Sequence, residues 1–196
     1  MKYQLLFWSL VAIIVGIETL NQERSQAEPA SIFQPIIRDI KTLLPENVEM
    51  RLPAFLPTLP EEITLYSFVL QDKEKLNQKK SLMVLISDTP DCKNQKDPFS
   101  CAVGGMAVAN APWKPDKFLQ DAEDVTPIVL GNNLEGFYFV HQDSRCVIWQ
   151  QNQLIYQIIT PQESSEYVSK QQLIEIAKSA ANEPAITKSD WADYQY

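Results

Sequence analysis

Histidine occurs once in this chain, at His141, and glycine only 5 times in 196 residues. With one imidazole, a Ser-His-Asp or Cys-His site would have to use His141, and zinc sites usually need more imidazoles or thiolates than remain. No G-x-G-x-x-G, P-loop or H-E-x-x-H pattern appears. The net charge is −8. An acidic surface repels phosphate backbones, which argues against nucleic acid as a partner. It is equally unsuited to holding an anionic bilayer. No period recurs along the chain, so a repeat architecture is excluded. Glycine is outnumbered by 13 prolines, which favours rigid loops over loose ones.

What is present is a globular composition, 45% apolar, on a chain long enough for one sizeable core. The N-terminus reads as an export signal. Met1-Lys2 supplies a short positive region, Leu5–Ile17 an apolar one, and Ser25-Gln26-Ala27 the small residues a signal peptidase reads. Cleavage is expected after Ala27. As a helix, Leu5–Ile17 would span roughly 20 Å, short of the ~30 Å of a hydrocarbon core. That favours a cleaved signal over a membrane anchor, and no cysteine lies nearby to carry a lipid. Lys2 and Arg24 offset Glu18 and Glu23, so the charge of −8 belongs to residues 28–196. A single domain is expected over 28–184, followed by a polar tail over 185–196.

In the expected mature chain, Ser31–Leu44 reads as an amphipathic helix with apolar residues at helical spacing; Pro35 requires a start near Gln34 or shortly before, and Pro45 a stop. Met50–Pro60 is apolar but punctuated by Pro53, Pro57 and Pro60, which suits an extended segment across one side of the core. Strands are expected over 63–71, 81–87, 101–110, 126–130, 134–142, 146–149 and 154–160. Gly104-Gly105 suggests a bulge or a close backbone approach inside the third. Asp143-Ser144-Arg145 reads as a turn, and a hairpin turns about Gln151-Asn152. The long loop Ala111–Asp124 has room for one helical turn at 117–122. The last helix has the clearest local signature: Ser169 with Gln172 forms a capping box, and Val168 with Leu173 a hydrophobic staple. Leu173, Ile174, Ala177, Ala180 and Ala181 make its buried stripe, and Asn182 and Pro184 end it. Six or seven consecutive strands with short joins pair antiparallel. An α+β fold is therefore expected, with an N-terminal and a C-terminal helix packed on one face of the sheet.

The candidate chemistry is sparse. Cys92 and Cys101 flank a polar loop. In an oxidising compartment they read as a disulfide, and eight intervening residues with no nearby histidine is not zinc spacing. Cys146 is left over in an apolar strand, as a buried free thiol. His141 reads as an exposed strand-end residue. Asp121-Ala122-Glu123-Asp124 is the densest acidic group and lacks a calcium-loop pattern. Phe137, Phe139, Trp149 and Tyr156 lie on adjoining strands; they read either as core packing or as the lining of an apolar pocket.

LPENVEMRLPAFLP at 44–57, DCKNQKDPFSC at 91–101, LGNNLEGFYF at 130–139 and VIWQQNQLIYQI with SKQQLIEIAKS at 147–179 resemble a family of uncharacterised exported cyanobacterial proteins. The last pair is also similar to the envelope lipoprotein-carrier and sigma-regulator (LolA-like) superfamily. That resemblance implies a curved antiparallel half-barrel with helices in its concave side; it carries no catalytic residues across. The expectation is a non-enzymatic exported domain, in the periplasm, cell envelope or outside the cell. It needs no cofactor or metal, has no stable membrane anchor after cleavage, and binds a lipid, another apolar small molecule or an envelope protein. A structural or interaction protein without a cavity, or an extracellular hydrolase, are the alternatives.

Overall fold

The computed structural model describes residues 28–58, 60, 62–70, 81–131, 133–163 and 167–188. The expected export signal, the loop between the first two strands and the end of the tail lie outside them. Among the described residues no helix is long and apolar enough to cross a membrane.

Seven strands form one antiparallel sheet: β1 Tyr66–Leu70, β2 Ser81–Ser87, β3 Ala102–Ala109, β4 Glu123–Val129, β5 Glu135–His141, β6 Ser144–Gln151 and β7 Leu154–Pro161. The spatial order β1-β2-β3-β7-β6-β5-β4 joins two meanders through β3 and β7, and the curved sheet stays open. A 3-10 helix at Ser31–Ile36 leads into α1 Ile37–Leu43; α2 is Pro115–Leu119 and α3 is Lys170–Asn182.

The first helix starts at Ser31, where the helical spacing of apolar residues begins, but its first turns are not α-helical. Ser31–Ile36 is wound as a 3-10 helix with Pro35 inside it. A residue at 35 would there donate to the Ile32 carbonyl, and proline has no N–H. The Ser67 hydroxyl of β1 donates to that carbonyl instead, at 2.6 Å. The turn before β6 is also shorter than expected. His141 pairs with Ser144, so Gln142-Asp143 alone make the turn and Arg145 lies inside β6. Gln151 pairs with Leu154 across Asn152-Gln153, both at positive φ, a type I′ turn whose twist matches its strands. β4 starts at Glu123, ahead of the expected boundary, and holds Pro127 because it is an edge strand that needs no donor on its open side. The tail joins the fold further than expected: Ile186 bridges Met50 through paired backbone bonds and is buried.

The main core lies between the concave face of the sheet and the two terminal helices. Phe33, Ile36 and Ile40 come from one end of the chain, and Leu173, Ile176, Ala177 and Ala180 from the other. Alanine at 177 and 180, both fully buried, lets α3 lie close to the strands. The capping box of Ser169 and Gln172 is formed in both directions. Met50 and Leu52 are buried beside α3, and Ala54 N–H donates to the Ser179 hydroxyl at 2.9 Å.

The outer face is covered in two places. The Cys92–Cys101 disulfide loop packs on Phe68 and Leu85 of β1 and β2. The long β3–β4 connection, with Trp113 and Leu119, packs on Phe137, Phe139, Ile148 and Ile155.

Candidate functional site

On β3, Gly104, Met106 and Val108 alternate onto the concave face, and Gly104 leaves that row without a side chain. Gly105 points the other way, where a Cβ would meet the Val84 carbonyl and Leu85 Cδ2 at 2.9 Å. One strand pairs Ile86 with Gly104 and Ser87 with Ala102, so Val103 is an extra residue, a bulge. The Thr160 hydroxyl donates to the Val103 carbonyl at 3.3 Å. Between this bulged strand, α3 and the extended segment lies a pocket of about 120 Å³. The sheet contributes Ile86, Gly104, Met106 and Ile158; the helix contributes Leu173 and Ile176; Leu56, Pro57, Ile63 and Leu65 close the far side. Those last four residues also line an open groove beside Ala30–Ile32, which continues the pocket to the surface. The lining is apolar apart from Asp88, at the β2 end, Thr160 and the exposed Tyr167.

The aromatic residues singled out from sequence are not brought together. Trp149 and Tyr156 stack on the concave side, ring centroids 5.3 Å apart and planes 13° apart. Both are fully buried and their polar tips are occupied. Tyr156 donates to the Glu49 carbonyl at 3.0 Å and Trp149 Nε1 to Gln151 Oε1 at 3.3 Å. Gly136 stands opposite Trp149, where a Cβ would come within 3.1 Å of the indole's Cβ. Phe137 and Phe139 have the opposite parity on β5 and face outward, Phe137 against Trp113 at 6.5 Å. None of the four lines the pocket under α3. Tyr138, between the two phenylalanines, is the β5 aromatic that reaches the concave core. Burial, then Asp124, pushes its phenol above the ordinary range.

Cys146 is buried on the outer side, where burial pushes its thiol up and Gln157 Nε2 approaches the sulfur at 3.5 Å. His141 ends β5 half-buried, and its Nδ1 has no hydrogen-bond partner. Asp124 of the acidic stretch pairs with Lys170 Nζ at 2.9 Å, tying β4 to the first turn of α3. Among the described residues no three histidine, cysteine or acidic side chains converge as a metal site would need.

Arg145 was hidden by the turn assignment. It sits on the concave face of β6 beside Thr160 of β7, and is 6% exposed. Its Nη1 donates to the carbonyl of Val168, next to the N-cap of α3. Its Nε and Nη2 are buried with no hydrogen-bond partner. The signal was available in the alternation Arg145, Val147, Trp149, which has the strand period once the turn is taken as two residues.

No family model, curated protein or solved structure matches this chain.

Proposed function

We propose that this is a non-enzymatic binding domain of an exported, oxidising compartment, which takes the apolar part of a lipid or other small molecule into the pocket beneath α3. The observation that carries the reading is the pocket: a recess open to the surface, apolar on most sides, where Gly104 contributes no side chain. Ligand sites are concave and mostly apolar with a few polar groups, and apolar spaces near 150 Å³ accept small apolar guests. The Cys92–Cys101 disulfide supports an oxidising compartment. The resemblance to envelope lipoprotein carriers agrees with an apolar ligand held on the concave side of a half-barrel. An envelope protein as partner, or an interaction protein without a ligand, is the competing reading.

The test is to expose the purified protein to a lipid extract and identify what it retains by native mass spectrometry. Wild type is expected to retain an apolar molecule, and Val103→Phe, which pushes a ring toward the pocket, to lose it. A folded wild-type protein that retains nothing overturns the reading. N-terminal sequencing of the exported form is expected to begin at Glu28, and a start at Met1 would refute the export signal as cleaved.

A further inference from the structure

The pocket under α3 has a polar end, and strand register shows where it lies. Ile86 pairs with Gly104, and Gly105 pairs with Ile159, so Ile86, Gly104 and Thr160 form one row across the concave face. Val84, Met106 and Ile158 form the next row inward, all buried and apolar. In the opposite direction, two residues beyond Ile86, strand alternation brings Asp88 to the same face. Asp88 and Thr160 both line the pocket. They stand at the edge of the sheet where β2 and β7 finish, while Met106 and Ile158 line the part further in.

These two groups offer acceptors. The Thr160 hydroxyl spends its one proton on the Val103 carbonyl at 3.3 Å, which leaves its lone pairs. An ionised carboxylate accepts only. Asp88 is exposed and accepts the Thr89 hydroxyl at 3.1 Å. Among the described residues no lysine or arginine forms an ion pair with it. It is also the only charged side chain among the described residues that line the pocket. Arg145, beside Thr160 on β6, is enclosed in the core at 6% exposed and does not line the pocket. Its strand is three strands from β2, roughly 14 Å at the usual strand spacing. A cation at Asp88 is therefore well separated from the guanidinium.

We infer that the pocket takes a small apolar primary amine, with its ammonium at Asp88 and its hydrocarbon group against Met106 and Ile158. An ammonium carries three donors and no acceptor, the complement of the groups at this end. An anionic amphiphile in the same pose would set its carboxylate beside Asp88. This rests on the apolar-pocket reading above and adds a head group and a size to it. A volume of about 120 Å³ is close to that of a cavity that holds one benzene ring, so the hydrocarbon is a single ring or a short chain.

The test titrates the purified protein at neutral pH with hexylamine, 1-hexanol and hexanoate, following the ¹⁵N–¹H shifts of the Gly104 and Met106 amides. Hexylamine is expected to bind about twofold to fivefold more tightly than hexanol, the worth of an exposed ion pair. Hexanoate is expected to bind most weakly. The preference for the amine is expected to shrink as salt is added. Asp88→Asn removes the charge at nearly constant size on an exposed residue, so the fold is expected to hold. That variant is expected to bind hexanol as before and hexylamine no better than hexanol. Equal binding of amine and alcohol by the wild type, tighter binding of hexanoate, or a preference that survives Asp88→Asn overturns the head-group assignment while the apolar pocket stands. Failure of all three to shift the pocket amides overturns the pocket reading and this inference together.

Discussion

The Tyr156 hydroxyl donates to the Glu49 carbonyl at 3.0 Å, joining β7 to the extended segment that follows α1. Asn152 Nδ2 reaches Glu49 Oε1 at 2.8 Å, so the β6–β7 turn is held to the same residue. Trp149 lies flat against the Tyr156 ring. Tyr156 thereby fastens the extended segment to the sheet. Tyr156→Phe is expected to cost about 1 kcal/mol, the net value of one such bond. Trp149→Ala is expected to cost about 3–5 kcal/mol through the cavity it leaves. Urea unfolding measures both, and a neutral Trp149→Ala would refute its place in the core.

Stability is expected to fall above about pH 10. Burial first, and then the nearby Glu49 carboxylate, pushes the Tyr156 phenol well above its ordinary value, and Tyr138 shifts the same way. The unfolded chain ionises its tyrosines near pH ~10 while the folded chain keeps these two protonated. The unfolded state then binds fewer protons, so the stabilisation is complete below that pH and is lost as pH rises. Urea midpoints between neutral and alkaline pH report the slope. Tyr156→Phe is expected to flatten it, and an unchanged slope would contradict the assignment.

The Cys92–Cys101 disulfide closes a short loop over Phe68 and Leu85. Replacing both cysteines by serine is expected to lower stability by about 2.7 kcal/mol, from the chain entropy restored to the unfolded state. The Ser87 hydroxyl, which donates to the Cys101 carbonyl at 2.7 Å, remains to hold the loop. The sheet is therefore expected to survive, with near-native circular dichroism and an earlier urea midpoint.

Cys146 is expected to be silent toward thiol reagents in the native protein. It is buried, and burial pushes its thiol up, away from the reactive thiolate. Under non-reducing conditions the folded chain should show no labelling, and the chain in guanidinium should be labelled at Cys146 alone. Labelling of the native protein at Cys146 would show that the outer cover over β6 opens.

The start of α3 depends on Ser169, which accepts the Gln172 N–H at 3.2 Å while Gln172 Oε1 accepts the Ser169 N–H at 2.8 Å. Ser169→Ala is expected to cost about 1 kcal/mol. A second effect should follow, because Val168 next to this cap receives the Arg145 bond. Amide exchange of the first turn of α3 is expected to speed up more than exchange in its last turn.

Much of the fold was legible because its signals are local. The capping box at Ser169, the disulfide cysteines and the strand runs at 81–87 and 154–160 each show within a few residues. The 3-10 winding of Ser31–Ile36 was not legible, because it leans on a hydroxyl donor, Ser67, from a strand further along the chain. The aromatic candidates were misleading for a similar reason. Phe137 and Phe139 differ from Trp149 and Tyr156 in which face they occupy, and only the pairing of Gly136 with Trp149 reveals it. The pocket was least legible of all: it arises from a side chain that Gly104 does not have, opposite a helix that arrives from the other end of the chain.

Arg145 marks the division most clearly. Taken alone, the sequence determined that the chain forms antiparallel strands and a capped C-terminal helix, since periodicity, caps and turn residues act over short distances. It placed Arg145 in a turn, because a charged residue after Asp and Ser resembles turn chemistry. Only the tertiary structure decided that the turn ends at Asp143, that Arg145 therefore points into the concave face, and that the carbonyl meeting it belongs to Val168. A shift of one residue in strand register exchanges the two faces of a sheet. Register is set by the packing of distant segments, and that information is distributed along the whole chain.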